Sequence, residues 1–238
     1  MPRINHKHPD PSRDRILQAA IREFSEHGLA GARTGGIAEA ARVNKALLYY
    51  YFRDKEGLYA AALEEVASKV AGDALAILDL HCSPGERVLR FVLQHFDRIS
   101  LQNGFQALMQ QEMVRFRTGQ SNALRILAKK AFAPMWDRTL QLVEEGIRSG
   151  ELCDVEPTQV MYAALGANVF FFLSSPMVRL VAAIDPLEPG AVASRRIAAI
   201  EFLGNTIFSD RKRGARLAKA VLAAIPIPEN AAPEKKTA

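Results

Sequence analysis

Residues 33–58 read RTGGIAEAARVNKALLYYYFRDKEGL. Ile37, Ala38 and Ala41 are small apolar positions of one short helix, and Val43 falls in a turn after it. Leu48 and Phe52 lie four apart on the next helix and share its inner face. Lys45 and Tyr49 share another face, as do Ala46 and Tyr50, and both pairs point away from Leu48 and Phe52. Eight residues at about 1.5 Å each make a helix of roughly 12 Å. That rod carries a cation, phenols and a methyl group, and a DNA major groove about 12 Å wide accepts it. Asn44 is placed to cap this helix, and Thr34 to cap the one before it. Lys55 stands in the first turn of the following helix, whose positive end favours a phosphate.

These residues need a scaffold, and the periodicity supplies one. Helical spacing recurs throughout the chain, and no convincing strand alternation appears. The expectation is an all-α fold: a three-helix helix-turn-helix domain followed by a larger helical domain. Ile16, Leu17, Ala20, Ile21 and Phe24 form the stripe of a first helix over 12–27, with Ser12 as its cap and Gly28 as its stop. Helices follow over 35–41 and 45–51, and Asp54 caps a long one reaching residue 78. Further helices are expected over 83–102, 104–117, 122–149 with a kink or restart at Pro134, 157–174, 191–208 and 213–224. The stretch 176–190 carries three prolines and reads as a connection. Domain limits follow: a flexible arm over 1–11, the helix-turn-helix over 12–58, the larger domain over 59–225, and a disordered tail over 226–238.

The span 13–63, with RILQAAIREFSEHG, IAEAARV and NKALLYYYFRDKEGL, resembles the DNA-binding domain of the TetR/AcrR family of regulators. The family pattern is I-A-x-x-A-G-V-S-K-G-T-L-Y-x-Y-F-x-x-K-E-x-L, and its spacing is intact here. The resemblance implies an all-α homodimer whose N-terminal domain binds operator DNA. It implies a C-terminal domain that binds a small molecule and dimerises through its last two long helices. It also carries DNA contacts onto Thr34, Asn44, Lys45, Ala46, Leu47, Tyr49, Tyr50 and Lys55. Two departures stand out. Arg42 replaces the usual turn glycine, which implies a differently shaped turn or an added phosphate contact, since left-handed angles cost a non-glycine residue about 1–2 kcal/mol. Ala46 and Leu47 replace Gly–Thr, so a base-edge hydrogen bond at 47 gives way to contact with a thymine methyl.

Composition bounds the alternatives. The 238 residues are 49% hydrophobic and 24% charged, enough for a core without staples. The net charge of +5 is concentrated at the ends: +3 over residues 1–60, −2 over 61–204 and +4 over 205–238. By itself that favours solubility and nucleic acid about equally. It is too mild for a sequence-independent DNA-coating protein. Two cysteines make no disulfide framework, and no Cys/His cluster suggests a metal site. No phosphate-binding loop, zinc-protease signature or Ser/His/Asp arrangement marks an enzyme, and the five histidines are scattered. No cofactor is implied. The absence of an apolar N-terminal segment fits a cytoplasmic protein.

The larger domain yields pattern rather than chemistry. Phe91, Phe105, Met109, Glu112, Met113, Phe116, Trp136 and Phe170 are candidates for an apolar ligand site, with Glu112 as a polar anchor. Each apolar one, taken singly, is better placed as core. Residues 158–178 form an uncharged stretch whose polar content argues against a membrane span and for a helix buried on all sides. In 158–173, small residues sit beside Phe170, Phe171 and Phe172. That suits close helix approach, so a homodimer through 157–174 and 191–208 is expected, and with it a palindromic operator. Whether 211–225 packs on the body stays open.

Overall fold

The computed structural model describes residues 11–101 and 103–227. The expected arm, apart from Pro11, and the expected tail, apart from residues 226 and 227, lie outside them. The helices in order are α1 (Pro11–Gly31), α2 (Thr34–Ala40), α3 (Lys45–Phe52), α4 (Lys55–Leu78), α5 (Pro84–Leu101) and α6 (Asn103–Arg117). Then come α7 (Ala123–Leu127), a π-turn (Ala128–Phe132), α8 (Ala133–Arg148), α9 (Pro157–Ala182), α10 (Pro189–Thr206) and α11 (Arg211–Ala224). Among the described residues the only β pairing is one antiparallel bridge, Leu152 to Phe208. The all-α expectation holds.

The chain forms two compact units, and they are not the two contiguous stretches that the sequence suggested. One comprises residues 11–71 with 103–132; the other comprises 72–101 with 133–227. The expected limit at 58/59 therefore does not coincide with the packing. Leu58, Tyr59, Ala62 and Leu63 of α4 are buried in the same core as Ile16 and Phe24 of α1. Leu108 and Met109 of α6 join that core from forty residues downstream. A local reading cannot foresee a helix that returns to an earlier core.

In the first unit, Gly28 interrupts α1 with φ +65°, a conformation glycine reaches without penalty. A Cβ there would lie 2.8 Å from Oε1 of Gln111 on α6, the movable end of a flexible side chain, so the left-handed backbone rather than space is what calls for glycine. Ser12 does not cap α1. It lies within the first turn and accepts a hydrogen bond from Nη2 of Arg15 at 3.2 Å.

In the second unit, α5, α8, α9, α10 and α11 enclose Leu89, Phe91, Leu93, Leu142, Ile200 and Val221. The side chains of α11 settle its packing: Ala218 and Val221 are buried, and a Cβ on Gly214 would come 2.0 Å from the carbonyl oxygen of Gly204 on α10. Buried Glu151 accepts from Oγ of Ser83, the amide of Gly85 and Nη2 of Arg213 at 2.7–3.0 Å, tying the start of α5 to α11.

Two helical expectations change here. The helix expected over 157–174 continues through Pro176 to Ala182. Proline supplies no amide for the carbonyl of Phe172, four residues back. Oγ of Ser175 donates to that carbonyl instead, at 2.9 Å, so the helix survives. Nor is α9 buried on all sides. It is long and apolar enough to cross a membrane, but only 17% of that stretch is buried within the chain. Tyr162, Phe170, Leu173, Met177, Leu180 and Val181 are all exposed.

Candidate nucleic-acid interface

The helix-turn-helix is built by α2, α3 and the four residues between them. Leu48 and Phe52 of α3 are buried with Ile37 and Ala38 of α2, as their spacing requires. The turn closes by two hydrogen bonds, from the amide of Val43 to the carbonyl of Ala38 and from the amide of Arg42 to that of Glu39, each 3.0 Å. This is a glycine-type helix end with a left-handed residue at its centre. Arg42 occupies that centre with φ 55°. The turn is thus not reshaped to suit arginine; arginine takes the conformation a glycine would take. Nε of Arg15 donates to the carbonyl of Ala41 at 3.1 Å and pins the turn to α1.

Asn44 caps α3 as expected, its Oδ1 accepting from the amide of Leu47 at 2.7 Å. Thr34 does not cap α2. It is the first residue of that helix, the capping position belongs to Arg33, and Oγ1 of Thr34 meets Oη of Tyr49 at 3.2 Å. The residue is buried, so its hydroxyl steadies a phenol of α3 rather than standing open. Nζ of Lys45 lies 5.8 Å from the centre of the Tyr49 ring. The two side chains support each other on one outward face.

Arg42, Asn44, Lys45, Ala46, Tyr49 and Tyr50 are exposed, and Leu47 is half-buried. Tyr50 is 67% exposed, whereas Tyr51 packs against the core. Lys55 is half-buried, and its ammonium donates to the carbonyl of Ala30 at 3.2 Å. Asp54 caps α4 through Oδ1 and the amide of Gly57 at 2.6 Å. Two exposed cations escaped the sequence reading: Arg33 at the start of α2, and Arg53, which ends α3 with φ 62°. Their only signal was position, immediately before and after the helices that carry the motif.

The candidate ligand residues are divided between the two units. Phe105, Met109, Glu112, Met113 and Phe116 belong to the first unit, and Phe91, Trp136 and Phe170 to the second. Met109 and Phe91 are core residues, Phe105 packs against the core, and Met113 and Phe170 are exposed. Phe116 lies under the guanidinium of Arg125, and Trp136 packs on Tyr162 with ring centres 5.7 Å apart. Glu112 is fully buried. It accepts from the hydroxyl of Ser121, and its other oxygen lies 3.5 Å from Nε of Arg115. Burial first, and then the Glu112 charge, push the phenol of Tyr59 up to about 12.

The family profile described as bacterial regulatory proteins, tetR family, matches residues 16–62. The HTH-type transcriptional repressor SCO4008 of Streptomyces coelicolor is 47% identical over 57 residues, 24% of this chain and 30% of that protein. The HTH-type transcriptional repressor NicS of Pseudomonas putida is 36% identical over 87 residues, 37% of this chain and 41% of that protein. The matches thus span well under half the length of these two relatives. A transcriptional regulator of Saccharomonospora viridis, solved with choline, shares the fold at a TM-score of 0.68 and 18% identity, covering 84% of this chain and 98% of that one. The regulator FadR of Bacillus subtilis, solved with stearoyl-CoA, does so at 0.60 and 18%, covering 80% and 96%. Residues 16–62 of the chain are therefore similar to the tetR family of bacterial regulatory proteins, and the rest of the chain shares its fold with solved regulators.

Proposed function

We propose that the protein is a homodimeric transcriptional repressor that grips a palindromic operator through α3 and releases it when a small molecule binds. The observation that carries this is the outward face of α3. Lys45, Ala46, Tyr49 and Tyr50 are exposed together on a short helix fixed at its start by Asn44 and braced by the Thr34–Tyr49 contact. Such a helix fits a major groove. Lys45 and Tyr50 read base edges, Ala46 and Leu47 touch thymine methyls, and Tyr49 and Asn44 set the register on the backbone. Arg42, Arg33 and Arg53 hold phosphates. Lys55, its ammonium committed to a carbonyl, acts by strengthening the positive end of α4.

The second copy belongs on α9 and α10. Tyr162, Phe170 and Phe202 are each more than 60% exposed in the single chain, an apolar area that a monomer rarely leaves open. A twofold four-helix bundle of these helices covers it and sets two copies of α3 about one DNA turn, 34–36 Å, or a multiple apart. The effector is a small molecule. It favours a conformation whose recognition helices miss their half-sites, by no more than its own preference between the two states. Such a regulator works in the cytoplasm and needs no catalytic step.

The test is selection of random-sequence duplexes at about 0.15 M salt by the full chain, followed by sequencing. An enriched inverted repeat, bound at least about 10³-fold above random DNA, is the expected result. A folded dimer that retains all sequences alike would overturn the reading.

A further inference from the structure

The second unit buries a polar cluster on α5 that none of the features above uses. Gln94, His95 and Arg98 follow the i, i+1, i+4 spacing that puts them on one face of α5, and Asn168 reaches that face from α9. Nδ2 of Asn168 lies 3.2 Å from the carbonyl of Val92 and 3.4 Å from Nδ1 of His95. Asn168 is 1% exposed, yet its Oδ1 has no hydrogen-bond partner. Neither does the buried Oε1 of Gln94 nor the buried Nη1 of Arg98.

Arg98 differs from the other inward-lying arginines of its unit. Arg87, Arg90, Arg138 and Arg196 each meet a carboxylate within 3.3 Å, and Arg195 lies over the ring of Phe171. Arg98 has no ion pair among the described residues. Asp73 raises its proton affinity, but from a distance and from an exposed position, and desolvation outweighs it. Arg98 is half-buried, and its Nη1 is held out of water without a counter-charge, which is costly, so such an arrangement persists where an anion completes it.

We infer that the Gln94–His95–Arg98–Asn168 cluster is the headgroup site of the effector, and that the effector is an organic monocarboxylate. This rests on the reading of the protein as a ligand-responsive regulator. The planar guanidinium matches a carboxylate in a two-bond geometry. The site supplies one positive charge, because burial and the neighbouring Arg98 hold the imidazole of His95 neutral, pushed down to about 3. One charge balances a carboxylate and leaves a phosphate dianion undercompensated. The nearby turns of α5 bury Phe91, Leu93, Phe96 and Ile99, which suits a ligand whose remainder is apolar. The two unpartnered amide oxygens are left to accept from a donor on the same molecule.

The test uses the full chain and three probes: octanoate, its neutral counterpart octanamide, and inorganic phosphate. Calorimetry and thermal melting should show saturable octanoate binding, octanamide at least about tenfold weaker, and no response to phosphate. Arg98→Met should abolish octanoate binding and, without ligand, melt no lower than the parent, because it removes an unpaired buried charge. Arg98→Gln repeats the binding test with a polar side chain in place. Equal binding of octanoate and octanamide would overturn the inference. So would octanoate binding retained in both variants, no octanoate binding by the parent, or an Arg98→Met variant that melts well below it. Operator selection by the same proteins separates the two readings. Octanoate binding without DNA selection removes the regulator, and DNA selection without octanoate binding removes the headgroup site.

Discussion

Two helices of this molecule leave much of their surface to solvent, and they do so with opposite chemistry. The α3 helix has eight residues and turns a cation, two phenols and a methyl group outward. The α9 helix has 26 and turns outward Tyr162, Phe170, Leu173, Met177, Leu180 and Val181. Neither face can be accounted for by the core of a single chain. A polar, cationic face is stable in water alone and gains a partner only if that partner is anionic and grooved. An apolar face loses free energy at about 25 cal/mol per Å² for as long as it stays wet. On the proposed reading the first face recognises DNA and the second is covered by the other copy.

The comparison predicts where damage is greatest. Charging the α9 face with Phe170→Asp together with Leu173→Asp should yield a monomer by light scattering. Operator affinity should then fall by more than about 100-fold, because a single half-site loses the partner's contribution. A double variant that stays dimeric would move the interface elsewhere. On α3, Lys45→Ala and Tyr50→Ala should each weaken operator binding by about 10- to 100-fold, the range of one base contact. Their melting temperatures should stay at the parent's value, since neither side chain is in the core. A variant that loses stability and affinity together would make the α3 face structural.

How much of this was legible in the sequence depends on how local the cause is. Leu48 and Phe52 share a face by their four-residue spacing, and Asn44 and Asp54 cap amides three residues on, so spacing alone placed them. Thr34 was misread as a cap because its partner, Tyr49, lies fifteen residues on. The helix end at 174 was misread because the remedy, the Ser175 hydroxyl on the Phe172 carbonyl, looks like nothing in a list of residues. The membership of α6 in the first unit was out of reach, since only the folded chain brings Leu108 and Met109 to Phe24. Arg98 was passed over among many charged residues. Its absent carboxylate is a property of three dimensions.

A third prediction concerns pH. The imidazole of His95 is held neutral by burial and by Arg98, pushed down from an ordinary 6.5 to about 3. The unfolded chain binds a proton there below about pH 6.5, and the folded chain does not until about pH 3. The His95 contribution is therefore complete above about 6.5 and lost as the pH falls, by up to about 1.4 kcal/mol per unit. Melting followed from pH 7 to pH 4 should show that decline, and His95→Asn should flatten it. An unchanged slope in the variant would assign the acid sensitivity to other groups.

The smallest effect separates the two demands placed on one residue. Arg42 adopts φ 55°, which costs an L-residue about 1–2 kcal/mol that glycine avoids. Arg42→Gly relieves that strain but gives the unfolded chain more freedom, which takes back about 0.4–1 kcal/mol. The net expectation is a variant more stable by up to about 1.6 kcal/mol, a rise of a few degrees in melting temperature. The same change removes an exposed cation one turn from the recognition helix. If Arg42 holds a phosphate, the slope of log affinity against log salt falls by about one, and binding weakens alike for all sequences. Greater stability with weaker, less salt-sensitive binding would mean that the strained turn is kept for the contact its arginine makes. Greater stability with DNA binding unchanged would leave the strain without a functional counterpart, and Arg42 would leave the interface.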